Sequence, residues 1–500
     1  MPSKTGVAAA LLAAACVAGG CRDAAGVSGG GPSWPDTLPP ASAIGAPRGF
    51  EPVRAVMHVH SVYSHDACDK APFDDAGRQN EACLARFRRA ICTAQLGAVF
   101  LTEHDRYMVR ADSIADALLL RDGDRPILVD GSVRASRIGC GRGSAGALLF
   151  AGAENQLMPI AFDSLPRGSD EERRAFYDAD TAGAAAAFRS YGAVVLLPHA
   201  EDEPLATVAA LDPDGIEIYN PHANFAFKHR VHQGLSRFGA IAAILPFYLR
   251  TTRAHPDLAL LPMFHANRNA IDDWDAMLAS GRDPFGFGAS DAHENALPWK
   301  MADGDRGDSY ERMLPWVTNV LLVRAAEENS LGVGDARRAV AVEDAVRQGR
   351  FYVVIEAWGT PAGFDFRLEG PAGIAEMGSA VASEPGQRLV VELPRVAGPA
   401  AGPAADGRDS DAAPPDIRAR LYRVGPGGRR TIVAQSSERI DVAVPGPGAY
   451  RVEVGIVPRH LGPWLGGADY LREVPWIYAN PIRVRGPAGA GPAADRAAAR

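Results

Sequence analysis

Lysine is almost missing from this chain: Lys4, Lys70, Lys228 and Lys300 are four among 52 Lys and Arg residues, a bias that reads as genome composition rather than function. A basic excess is missing too. The formal charge is −8 and the pI about 5.9, whereas a protein that follows a nucleic-acid backbone carries a basic footprint, so no nucleic acid is expected as a stable partner. Past the amino terminus no stretch approaches the roughly 20 apolar residues that span a bilayer. Cysteine is scarce, and none of the six has the C-x-x-C spacing of a cysteine zinc site. Beyond Cys21 four remain, Cys68, Cys83, Cys92 and Cys140, an even set that predicts two disulfides in an oxidising compartment. The short polar loop between Cys68 and Cys83 favours that pair, leaving Cys92 with Cys140.

What is present begins with a targeting segment over 1–20. Lys4 precedes an alanine-rich apolar run from Val7 to Ala18, too short for a spanning helix and typical of a secretory signal peptide. Val17-Ala-Gly-Gly-Cys21 resembles a bacterial lipobox, with Ala18 where leucine is usual. Lipidation at Cys21 and simple cleavage both stay open; Cys16 would leave a shorter apolar core. The expectation is an exported protein: a periplasmic or cell-envelope lipoprotein, attached to the membrane through its N-terminal lipid, or a secreted one.

At 500 residues two domains are expected. Residues 21–50, rich in Gly, Pro, Ala and Ser, read as a flexible linker. Over 51–358 strand-like runs alternate with alanine-rich helical ones. Strands are predicted at Val53 to His58, Ala98 to Thr102, Ala147 to Ala151, Ala193 to Leu197, Ile216 to Tyr219 and Phe285 to Ala289, with helices at Glu81 to Gln95 and Thr181 to Tyr191. That alternation predicts a parallel α/β layout, and at this length a closed barrel. From 359 to 485 proline and glycine rise and strand alternation takes over, as in Ile417 to Leu421, Ile440 to Val444 and Tyr450 to Val454, which predicts a β-sandwich. Ala397 to Pro415 reads as a low-complexity loop and 486–500 as a disordered tail.

Five clusters of metal-ligand side chains follow or end the predicted strands: His58-Val-His60 with Asp66, Thr102-Glu-His104-Asp105, Gly152-Ala-Glu154, Pro198-His199, and Ser290-Asp291-Ala-His293. The two-residue period of a strand sends His58 and His60 to one face, where they can share a metal. Taken singly the clusters have blander readings, and Ser290-Asp291 would serve as a helix N-cap. As a set at strand ends they point to one metal centre, since in α/β barrels function gathers at the carboxyl ends of strands. Imidazole and carboxylate suit zinc, manganese or iron(II).

The set resembles the PHP (polymerase and histidinol phosphatase) metallohydrolases. Their first motif reads like His58-Val-His60-Ser-Val-Tyr-Ser-His-Asp66, their second like Thr102-Glu-His104-Asp105, and their last like Gly288-Ala-Ser-Asp291-Ala-His293. The later part of the chain is similar to a secreted, carbaryl-hydrolase-like branch in Gly349-Arg-Phe-Tyr, Gly448-Ala-Tyr-Arg-Val-Glu-Val and Trp476-Ile-Tyr-Ala-Asn-Pro-Ile. The resemblance implies a distorted (β/α)7 barrel with two or three divalent metal ions. His58, His60, Glu154 and Asp291 would hold one; Asp66, His104 and His293 a second, with Glu154 bridging; Glu154 and His199 a third. Members with three metals supply another histidine soon after the bridging glutamate, and here none lies between His104 and His199, unless His222 serves. His65 is an alternative to Asp66. Glu217 and Asn220 in Gly215-Ile-Glu-Ile-Tyr-Asn are candidates for ligand support or substrate contact, while His229, His232, His255 and His265 read as surface groups.

Two close cations activate a hydroxide toward phosphorus or a carbonyl carbon. A small phosphorylated ester fits first, with Arg230, Arg250 and Arg253 as charge partners and His199 or Asp105 as proton donor to the leaving group. Carboxyl-ester or carbamate hydrolysis is the second reading, and a non-catalytic surface binding protein the third. An amidohydrolase barrel also opens with H-x-H but normally brings a lysine to its metals, and none lies between Lys70 and Lys228.

Overall fold

Strand β1 (Phe50–Val56) sends Val53 and Ala55, followed by Met57, into the apolar core, and Arg54 to the opposite side. There Arg54 is fully buried, its Nε 2.7 Å from Glu356 and its Nη1 donating to the Pro39 carbonyl. The same alternation, carried on past Val56, puts His58 and His60 on a common side. The structure, a computed structural model, describes residues 37–104, 106–141, 146–225, 255–324, 333–397, 413–465 and 471–486. The expected signal peptide with Cys21 lies outside them, as do Asp105, the arginines at 230, 250 and 253, His229, His232, nearly all of the low-complexity loop and the carboxyl tail. The described end of the 21–50 stretch packs closely: Ile44 is buried and Leu38 N–H donates to Thr93.

The predicted strands form close to where periodicity placed them. They are β2 (Ala98–Phe100), β3 (Ala147–Phe150), β4 (Met158–Ile160), β5 (Val194–Leu197), β6 (Gly215–Tyr219) and β7 (Phe285–Gly288), of which only β4 was not foreseen. Helix α1 (Glu81–Thr93) follows β1. Its buried stripe Cys83, Leu84, Phe87, Ala90 and Ile91 has helical spacing, and Asn80 caps it by accepting from Cys83 N–H.

The chain is mixed α/β, and among the described residues no closed barrel is found. β1, β2 and β3 are parallel neighbours, β5, β6 and β7 form a second parallel run, and β4 joins β5 antiparallel. The other edge of β1 is taken by β8 (Thr318–Arg324), antiparallel, so it has no ladder left for β7. The two sheets meet instead through single bridges, Val59 to Ala292 and Gly152 to Ile160, and through side-chain amides. Asn319 on β8 accepts from Gly288 N–H at 2.9 Å and donates to its carbonyl at 2.8 Å. Those two bonds stand in for part of a ladder.

The described strands of 359–485 divide among three sheets, one of them four-stranded around Asp365–Gly370 and one a two-stranded pair of Thr360–Ala362 with Arg395–Ala397. The largest is continuous with β1. From β8 it runs through β9 (Phe351–Val354) to a late strand, Val474–Arg485, and on to Gly448–Val457 and Asp416–Val424. Asn480 on the late strand accepts from Gly286 N–H of β7 at 2.7 Å. Both disulfides pair as the spacing suggested, Cys68 with Cys83 and Cys92 with Cys140. Among the described residues no helix is long and apolar enough to cross a membrane.

Candidate metal centre

Backbone hydrogen bonds gather the motifs before any side chain is considered. Thr102 N–H donates to the Val59 carbonyl, Asp291 N–H to that of His58, and His60 N–H to that of Ala292. Glu103–His104 then pairs in parallel with Ala153–Glu154. Gly152 permits that approach, because a Cβ there would sit 2.4 Å from the Leu101 carbonyl oxygen. Four of the five clusters are thereby held edge to edge. His199 arrives from the end of β5 in the left-handed region at φ 48°, and Asp291 also has a positive φ of 50°. A non-glycine residue takes that conformation at a cost, and such costs concentrate at functional sites.

Glu154 lies at the centre. Its Oε1 is 3.1 Å from His58 Nε2 and 3.1 Å from His199 Nε2, and its Oε2 is 3.0 Å from His60 Nε2 and 3.6 Å from His104 Nδ1. Asp291 Oδ1 is 3.3 Å from His58 Nε2 and 3.5 Å from His60 Nε2. On the far side Asp66 faces His104 at 3.6 Å and His293 at 3.4 Å, and the His60 and His293 rings stack at 3.8 Å. Two ligand groups result. One is His58, His60, Glu154 and Asp291, the set the motifs implied for the first ion; the other forms on His60, His104 and His293, with Asp66 beside it rather than at its centre.

The surroundings prepare the imidazoles as ligands. His58 Nδ1 lies 2.7 Å from Glu217, His60 Nδ1 2.8 Å from Ser64 Oγ, and His293 Nδ1 2.9 Å from the Asp291 carbonyl. A neutral imidazole that gives Nδ1–H to such an acceptor keeps its Nε2 lone pair for an ion. The Nε2 atoms of His58, His60 and His293 and Oδ1 of Asp66 are buried and make no hydrogen bond. Buried polar atoms are ordinarily satisfied, so a group of them converging on one space fits a cation. Nitrogen and carboxylate donors fit zinc, manganese or iron(II).

Electrostatics follow from this crowding. Burial disfavours charge on His58, yet Glu154, Asp291 and Glu217 hold it well above the usual imidazole range. Burial and His293 push His60 down to about 3. His104 is raised to about 9, where Asp66 and Glu154 outweigh burial, and His199 likewise to about 9 through Glu154, Glu217 and Asp291. Glu154, for all its burial, is held well below the carboxylate range by His58, His199 and His60.

The remaining candidates separate. His65 is exposed, its ring 5.3 Å from His104, so Asp66 rather than His65 faces the other ligands. His255 accepts from Asp257 N–H and His265 Nδ1 meets the Met263 carbonyl; neither joins the cluster. The side chain of His222 lies outside the described residues. Sequence reasoning missed Ser64 and Glu103: Ser64 Oγ links His60 to Glu103, donating to it at 2.8 Å, and Glu103 also accepts from Ser61 N–H. The signal was there, since both sit inside the ligand motifs, but polar residues between ligands carry no label of what they touch.

Compared with known proteins, no family model and no curated protein matches this chain. A solved two-domain protein from Bacteroides vulgatus ATCC 8482, containing a predicted PHP-like metal-dependent phosphoesterase, aligns at 11% identity and a TM-score of 0.28. The alignment covers 89% of this chain and 97% of that one. At that TM-score the likeness carries neither fold nor function, and both rest on this chain's own geometry.

Proposed function

We propose that this chain is a metal-dependent hydrolase of the PHP type, acting first of all as a phosphoesterase. The observation that supports it is the convergence of five histidines, His58, His60, His104, His199 and His293, with Glu154 and Asp291 around one space, the Nε2 atoms of His58, His60 and His293 buried within it. Divalent cations there would supply Lewis acidity and a water of lowered pKa, the chemistry that ester hydrolysis at phosphorus uses. His58, His60, Glu154 and Asp291 would hold one ion and His104 and His293, with Asp66 beside them, a second; His199 extends the first group.

Exposure gives the cluster a direction. His58 and His60 are fully buried, while His104, His199 and Asp66 are 26%, 28% and 25% exposed, so substrate reaches that side. Glu154, Asp291 and Asp66 would repel a phosphate by themselves, so substrate binding depends on loaded cations. His199 Nε2 faces Glu154 and Asp291, and its role here is ligand rather than proton donor. The two disulfides favour an oxidising compartment as the setting.

The test is metal analysis of the purified protein with a screen of p-nitrophenyl phosphate, bis-p-nitrophenyl phosphate, and carboxyl and carbamate esters. Turnover of the phosphate esters that is lost to a chelator and regained with metal is the expected result. Turnover confined to carbon esters would shift the reaction class. Fewer than one metal per chain, with no turnover after reconstitution, would overturn the reading.

A further inference from the structure

Glu217 belongs to none of the ligand groups, yet both of its carboxylate oxygens are committed to ligand residues. It stands on β6 and is fully buried. Its Oε2 is 2.7 Å from His58 Nδ1. Its Oε1 accepts the backbone N–H of His199 at 3.3 Å and the Asn220 amide at 2.9 Å, and lies 3.7 Å from His199 Nδ1. One side chain thus touches a ligand at the end of β1 and another at the end of β5, whose rings are 5.3 Å apart. A buried carboxylate with no cationic Lys or Arg among these contacts is costly to keep for packing alone. What it meets instead is donors, two of them on the ligand residues His58 and His199 and the third the Asn220 amide.

We infer that Glu217 is the positioning residue of the first metal position, fixing the His58 tautomer through Oε2 and the strained His199 backbone through Oε1; this rests on the metal-centre reading above. Glutamine cannot replace it. An amide placed with its oxygen toward His58 turns its NH2 on the fixed His199 backbone N–H donor. Placed the other way, the NH2 faces His58 Nδ1 and drives the proton to Nε2, removing the lone pair needed for an ion. Loss of such a partner typically costs 10–100-fold in metal affinity. The cost should fall on the His58 position and spare the His104 and His293 position, whose Nδ1 contacts are with backbone carbonyls.

The experiment is a titration of the metal-free full chain with Zn²⁺ or Mn²⁺ against a chelating indicator, for wild type, Glu217→Gln and Glu217→Asp, with melting curves of the metal-free proteins. Expected is a weakening of one binding step by about 10–100-fold in Glu217→Gln, with the other step and the metal-free melting temperature unchanged. Partial recovery is expected in Glu217→Asp, which keeps a carboxylate. Wild-type affinity in both steps of Glu217→Gln would overturn the inference and leave the metal centre standing. Equal weakening of both steps with a lowered metal-free melting temperature would make Glu217 merely structural and also overturn it. A wild-type protein that binds no metal would remove the metal-centre reading, and this inference with it.

Discussion

Three imidazole nitrogens lie 3.0 to 3.1 Å from the two carboxylate oxygens of Glu154. Groups packed so closely and buried hold together only with a cation among them or with protons shared between them. The two occupants compete. In the metal-free fold His104 and His199 keep their protons up to about pH 9, against 6.5 for an unperturbed histidine. Their contribution to stability is therefore complete below about pH 6.5 and is lost as pH rises through about 9. Because an ion needs neutral imidazoles, loading the protein near pH 7.5 should release protons, and affinity should rise with pH up to about 9. Calorimetry in buffers of different ionisation enthalpy measures that release; none detected would contradict the assignment. His60→Ala and Asp291→Ala should each remove hydrolysis of p-nitrophenyl phosphate while the chain stays folded, and unchanged turnover in either would refute the site. These residues were legible because H-x-H spacing and strand-end position are sequence properties. Glu217 was a candidate for ligand support from its strand-end position, whereas Ser64 and Glu103 were harder to read, because nothing local says which ligand a polar side chain will touch.

At the scale of elements, the turn after Asp66 holds a run of positive-φ residues. Cys68, Asp69 and Lys70 have φ of 56°, 58° and 64°, consecutive left-handed residues without glycine, a conformation costing about 1–2 kcal/mol each. Cys68 and Asp69 N–H groups donate to the His293 and Glu294 carbonyls, Asn295 donates to the Asp66 carbonyl, and Arg306 holds Asp69. The disulfide to Cys83 anchors the turn to α1. Removing it as Cys68→Ser with Cys83→Ser should cost about 3 kcal/mol for a loop of this size and weaken the second metal position through Asp66. Cys92→Ser with Cys140→Ser, away from the ligands, should leave metal content unchanged. Metal per chain and melting temperature of the two double variants distinguish these outcomes; equal metal loss in both would rule out a specific role for the turn.

For the whole molecule, the boundary expected at 358/359 crosses a continuous sheet, since Tyr352, Val353 and Val354 pair with Ala479, Tyr478 and Ile477. A second tie is buried. Arg451 on Gly448–Val457 makes bonds of 2.7 and 2.8 Å to Asp275 of the helix Arg268–Ala279, with its guanidinium 5.1 Å over Trp274. Unfolding should therefore be a single transition. Arg451→Leu, which leaves Asp275 with the weaker company of Arg430, should destabilise by about 3–5 kcal/mol without altering the metal content of the folded fraction. Calorimetry checks both, and two resolved transitions would show that the regions fold independently.

By itself the sequence determined which residues could bind a cation, most of the strands that carry them and the helices Glu81–Thr93 and Ala182–Ser190, because periodicity and ligand chemistry are local. It also narrowed the disulfides, through the short loop from Cys68 to Cys83. Only the tertiary structure decided that, among the described residues, the sheets meet through Asn319 and Asn480 with no closed barrel found, and that Glu217 contacts His58 and His199 at once. Such outcomes depend on which strand reaches a free edge and which buried donor meets which acceptor, and no local pattern in the chain encodes either.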